Sequence, residues 1–104
     1  MNQKRQYTRL DYEIYVELVI DGEIQHGHSV NISQGGVFVR TDPVPPFGTS
    51  LKLRIKLPGV PDTCEISCIV RWSKTGEGVG LQFEQLRAIE VWGLNKLVGS
   101  LNKS

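Results

Sequence analysis

A strong charge of one sign is missing: twelve Lys and Arg stand against eleven Asp and Glu, a formal net charge of +1. A coat for genomic DNA is normally basic throughout, so a DNA partner is not expected. No apolar run approaches the ~20 residues of a membrane span, and no charged start followed by an apolar core marks a signal peptide. A cytoplasmic protein without membrane insertion is therefore expected. Cysteine is scarce, Cys64 and Cys68 being the two. Four residues apart on a strand, their Cα atoms would stand ~13 Å from each other, beyond the ~7 Å limit of a disulfide. Two free thiols are expected, which suits a reducing compartment. Internal repeats and low-complexity tracts are absent, and at 39% hydrophobic and 22% charged residues disorder is not expected. The 104 residues have room for one domain.

What is present is a period of two. From Leu10 to Ile20 every even residue is apolar (Leu10, Tyr12, Ile14, Val16, Leu18, Ile20) with Asp11, Glu13 and Glu17 between them, the pattern of a half-buried strand. Asp21-Gly22 is a preferred type I′ hairpin turn. Beyond it the even positions Ile24, His26, His28, Val30 and Ile32 are expected to face inward, and Gln25, Gly27, Ser29 and Asn31 outward. Short strands follow at Val37–Arg40, Leu51–Leu57, Cys64–Trp72 and Val79–Phe83. The Pro-rich stretch 42–48, the turn 58–62 and the Gly-containing turn 74–78 separate them. After Phe83 the apolar spacing becomes helical through Leu86, Ile89, Leu94, Leu97, Val98 and Leu101, with Gly93 a place where the sheet could come close. The expectation is an all-β chain with one C-terminal helix: residues 1–9 a flexible basic arm, residues 10–104 a six-stranded antiparallel β-barrel whose helix spans about 85–101.

Chemistry that needs clustered ligands or nucleophiles finds little support. His26 and His28 with Cys64 and Cys68 lack the chelate spacing of zinc, since cysteines four apart on a strand cannot share bonds of ~2.3 Å. Barrel-end or partly buried histidines are the preferred reading, and no metal is expected. No Ser-His-acid set or Gly-x-Ser-x-Gly elbow occurs. Gly76-Glu77-Gly78-Val79-Gly80 reads as a turn between strands, not a dinucleotide loop. An enzyme is not expected, and neither is a cofactor.

Two segments stand out. Residues 1–10 carry Lys4, Arg5 and Arg9 and no acid, which reads either as a solvated tail or as an anion site. Asn31-Ile32-Ser33-Gln34-Gly35-Gly36 reads by itself as a strand ending in a turn. The hairpin links them: its register brings Arg5 and Arg9 beside Asn31 and Ser33 on the outer wall. Gly35 and Gly36 would let a flat ligand approach the backbone. Guanidinium groups suit phosphates and the O6/N7 edge of guanine, while Asn and Ser supply directional donors and acceptors.

These residues resemble the PilZ domain family of bacterial cyclic di-GMP receptors. Arg5-Gln6-Tyr7-Thr8-Arg9 matches the family's RxxxR motif and Asn31–Gly36 its D/N-x-S-x-x-G motif. Val70-Arg71-Trp72 and Gly78–Phe83 are similar to its closing strands. The resemblance implies that Arg5 and Arg9 hold phosphate and guanine, that Asn31 and Ser33 read a guanine edge, and that Gly36 keeps the turn open. Asn31 stands where Asp is commoner. Lys4 occupies the position that in the family influences whether one ligand or a stacked pair binds. Trp72 supports a base in some members, although here its phase with Cys68 and Val70 reads as core packing. The implied function is a stand-alone receptor and adaptor, a monomer or weak homodimer. It would relay cyclic di-GMP level to an unidentified protein effector controlling motility, exopolysaccharide, biofilm or virulence. The alternatives are a protein-interaction module of the same fold that binds no nucleotide, and a small barrel for single-stranded nucleic acid, which would need exposed aromatic platforms.

Overall fold

Where the two-residue period holds, the chain forms strands; where it breaks, the barrel wall changes which residues it presents. The computed structural model describes residues 9–101. The elements are β1 (Leu10–Asp11), β2 (Tyr15–Ile20), β3 (Glu23–Ile32), β4 (Gly36–Thr41), β5 (Ser50–Ile55), β6 (Cys64–Lys74), β7 (Gly78–Gln85) and α1 (Ala88–Leu101). β3, β2, β5, β6, β7 and β4 are hydrogen-bonded neighbours in that order, and β4 pairs back with β3. This closes a six-stranded antiparallel barrel with one C-terminal helix, as expected, and β1 extends the wall by pairing with β3. Of the expected basic arm, residues 1–8, including Lys4 and Arg5, lie outside the described residues.

The expected first strand is two segments. Between them Tyr12 N donates to Val30 O (3.1 Å), Ser29 N donates to Ile14 O (2.9 Å) and Ile14 N donates to Ser29 Oγ (3.0 Å). The Ser29 hydroxyl in turn donates to Tyr12 O. A buried serine thus satisfies backbone groups that the ladder leaves unpaired, as buried polar groups require.

The second strand corrects the expected phase. Asp21 and Gly22 have φ of 51° and 82°, the two left-handed residues of a type I′ turn. A two-residue turn pairs residues of opposite parity: even residues of β2 with odd ones of β3 (Val16 with Gly27, Leu18 with Gln25), and odd with even (Glu17 with His26, Tyr15 with His28). Cross-strand partners share a face, so the inward set on this part of β3 is odd. Gly27 and Ser29 are buried, whereas Ile24, His26 and His28 are exposed. The histidines are exposed on the outer wall, not partly buried. The register shifts between Ser29 and Asn31 against β4, and the pairing becomes Leu10 with Ile32 and Asp11 with Asn31. From there even residues face inward again, and Ile32 is fully buried.

The core contains Leu18, Leu53, Ile55, Ile66, Val70 and Val79 from the strands and Leu94 and Leu97 from α1. Cys64 and Cys68 are buried free thiols, as expected. α1 starts with the glutamate half of a capping box: Glu90 Oε1 accepts from Arg87 N (2.8 Å), and its other oxygen meets the Arg87 guanidinium (2.8 Å). This satisfies an otherwise orphaned backbone donor. The helix turns Glu90, Leu94 and Leu97 inward and leaves Ile89 exposed, against expectation. Gly93 does mark a close approach, but to the β5–β6 connection. A Cβ there would lie 2.9 Å from Val60 Cγ2 and 3.1 Å from Leu57 Cβ.

Candidate functional site

Strand pairing assembles one outward row across four interfaces. Asp11 pairs with Asn31, Asn31 with Phe38, Phe38 with Gly80 and Gly80 with Trp72. The row beneath it, Leu10, Ile32, Val37, Leu81 and Val70, is linked by the same pairings, and all of it but the half-buried Leu10 lies in the core. Arg9 precedes Leu10, Ser33 follows Ile32, and Gly36 pairs with Gln82. One patch of outer wall therefore carries residues from both ends of the hairpin and from the two closing strands.

A cavity of about 650 Å³ opens on this patch, lined among others by Arg9, the Ser33–Gly36 turn, Arg71, Trp72 and Gln82. Its volume falls within the ~300–1,000 Å³ usual for small-molecule sites. Of the expected site residues, the structure brings Arg9, Ser33, Gly35, Gly36 and Trp72 to this cavity. Lys4 and Arg5 lie outside the described residues. Asn31 sits in the outward row but is not part of the lining. Its Oδ1 is buried and accepts no hydrogen bond among the described residues.

Two expectations about these residues change, and the glycine at position 36 gains a physical reason. The Ser33 side chain was expected to face outward, yet Ser33 is 4% exposed. Its Oγ accepts from Gly35 N (3.1 Å) and Gly36 N (3.2 Å), so the hydroxyl shapes the turn from inside, as Ser does in many turns. Gly36 is not needed for an unusual φ; a Cβ there would stand 2.2 Å from Leu81 O, so the β7 backbone excludes any side chain. The phase of Trp72 with Cys68 and Val70 points to the core, but the register shifts between Val70 and Trp72. The inward run Cys64, Ile66, Cys68, Val70 ends there, and Trp72 is 44% exposed. Its ring lies 5.4 Å from that of Phe38, tilted by 54°, a favourable offset for aromatic pairs.

The same shift exposes a residue that sequence reasoning passed over. Arg71 and Trp72 are consecutive, yet both are exposed and both line the cavity. A bulge lets neighbours share a face that alternation would divide between them. Arg71 Nε donates to Gln82 Oε1 (2.7 Å). The only hint in the sequence was a cation beside an aromatic in a strand. Gln34 also escaped notice; its amide donates to Asn95 Oδ1 of α1 and ties the glycine turn to the helix. Chemically the patch offers cationic forks, an aromatic face and a serine-shaped turn, a set suited to a ligand with phosphates and a flat ring.

Comparison with known proteins agrees with the barrel. The PilZ domain family model matches residues 3–100. The structure of the Bacillus subtilis inhibitor of motility (MotI/DgrA) superposes with a TM-score of 0.72 at 30% identity, over 99% of this chain and 54% of that one. The chain thus spans about half the length of that protein. The PilZ domain of CeSA from a cellulose-synthesizing bacterium has a TM-score of 0.68 at 20% identity, covering 91% of this chain and 98% of that domain, a likeness of fold. No curated protein sequence matches.

Proposed function

We propose that this chain, which belongs to the PilZ domain family, is a receptor for cyclic di-GMP and passes the second-messenger signal to a protein partner without catalysing a reaction. The observation that carries this reading is the meeting of Arg9, the Ser33–Gly36 turn, Arg71 and Trp72 around one cavity. A cyclic dinucleotide has two phosphates and two flat bases. Arg forks match the first and an exposed indole can stack on the second. Asn31 enters this reading through the D/N-x-S-x-x-G match; its Oδ1 is buried and accepts no hydrogen bond among the described residues. Lys4 and Arg5 would add cations to the phosphates by virtue of the RxxxR match. Among the described residues no helix is long and apolar enough to cross a membrane, in keeping with a role that needs no bilayer.

The test is calorimetric titration with cyclic di-GMP, GTP and a short RNA, each against the wild type and Arg9→Ala. Saturable binding of cyclic di-GMP alone, weakened in Arg9→Ala, is expected. If none of the three binds, the chain is an interaction module, and the receptor reading is lost. Binding of RNA in preference would make it a single-strand binder.

A further inference from the structure

The geometry points to Arg71 as the residue that distinguishes guanine from adenine in the ligand, with Gln82 as its positioning residue. The inference rests on the cyclic dinucleotide reading and adds to it the basis of base selection. Three observations carry it. The bulge between Val70 and Trp72 places a guanidinium and an indole side by side on the outer wall, both at the cavity. Gln82 Oε1 accepts from Arg71 Nε at 2.7 Å. Gln82 is itself held on β7 opposite Gly36, the last residue of the glycine turn.

The consequence is chemical. A guanidinium has two forks, the side-on pair through Nε and the end-on pair through Nη1 and Nη2. With Nε engaged by Gln82, the end-on fork is the one left to offer. A base stacked on Trp72 would lie in the cavity that Arg71 also lines, where its edge can meet the free fork. Guanine carries two acceptors on that edge, O6 and N7, and takes both prongs. Adenine has one acceptor and one N–H donor there, and the donor meets a second donor. Arg71 therefore favours guanine by attraction and disfavours adenine by an unmatched N–H pair. Gln82, which also lines the cavity, takes part in this selection through Arg71, by fixing which fork is presented.

The experiment measures affinity for cyclic di-GMP and for cyclic di-AMP by calorimetry in the wild type, Arg71→Ala, Gln82→Ala and Gln82→Glu. Melting temperatures are recorded alongside, and should change little because Arg71 and Gln82 are exposed. The wild type should prefer the guanine ligand. Arg71→Ala should reduce that preference by roughly 10- to 100-fold, the range of one two-pronged base contact, while changing adenine-ligand affinity only a few-fold. Gln82→Ala should move the preference in the same direction by a smaller factor. Gln82→Glu should retain it, since a carboxylate accepts the same Nε–H. If Arg71→Ala weakens both ligands equally, Arg71 is a phosphate contact and the inference is overturned. An unchanged preference overturns it too, and leaves the receptor reading standing. A wild type that binds neither ligand defeats the receptor reading itself.

Discussion

Replacing Gly36 by alanine isolates the close approach of two strands at the floor of the site. The added Cβ would lie 2.2 Å from Leu81 O, 3.3 Å from Leu81 C and 3.4 Å from Gln82 Cα. All three neighbours are backbone atoms, so no side chain can swing away. Restoring an ordinary contact requires β4 and β7 to separate by about 1 Å, the gap between 2.2 Å and a normal carbon–oxygen approach. That separation strains the Gly36–Gln82 and Val37–Leu81 pairs and the bond from Phe83 N to Gly35 O (2.9 Å). Overpacking of this kind costs ~1–3 kcal/mol, and each weakened backbone bond adds up to ~0.5–1.5 kcal/mol. The sum, about 2–5 kcal/mol, is a large share of the ~5–15 kcal/mol that holds a domain together. For a domain of this size the melting temperature should fall by ~10 °C or more. Urea unfolding followed by circular dichroism, with scanning calorimetry, measures both quantities. A loss below ~1 kcal/mol would refute the reasoning, because it would mean the two strands can part without cost.

Arg9→Ala should weaken cyclic di-GMP binding by roughly 10- to 100-fold, the worth of a charge-assisted fork, with little change in melting temperature because Arg9 is exposed. Ser33→Ala should act on stability as well as affinity. It leaves Gly35 N and Gly36 N without their acceptor, at ~1–3 kcal/mol for a buried donor, read by urea unfolding; an unchanged midpoint would contradict the inward hydroxyl. Burial pushes the Cys68 thiol up to about 12, so thiol reagents at neutral pH should label it only on unfolding, and rapid labelling of the native protein would contradict its placement. Glu17 is held below the usual carboxylate value by hydrogen bonds from Tyr15 and Arg54. Its lowered folded value means a contribution to stability that is complete above the ordinary glutamate range and is lost as pH falls through the folded value. Glu17→Gln should flatten the acid limb of the stability–pH profile below pH 4.5, and an unaltered limb would refute the pairing.

What the sequence determined by itself was local. Alternation of apolar and polar residues marked the barrel strands, because a half-buried strand must alternate. Asp21-Gly22 announced its turn, because few residue pairs tolerate two left-handed positions. Arg9 and the Asn31–Gly36 segment could be placed on one wall, because a hairpin folds its distant ends together. The same turn carried the outward phase of His26 and His28, because a two-residue turn inverts parity between paired strands, although their spacing alone suggested the interior. Tertiary structure decided what the turn could not. One extra residue after Val70 then turned Trp72 outward beside Arg71 and made a binding wall from what the period had assigned to the core. That shift leaves no local mark, since it is set by the register that brings Gly80 opposite Trp72 and Leu81 opposite Val70. Register belongs to two strands at once, and no single stretch of sequence contains it.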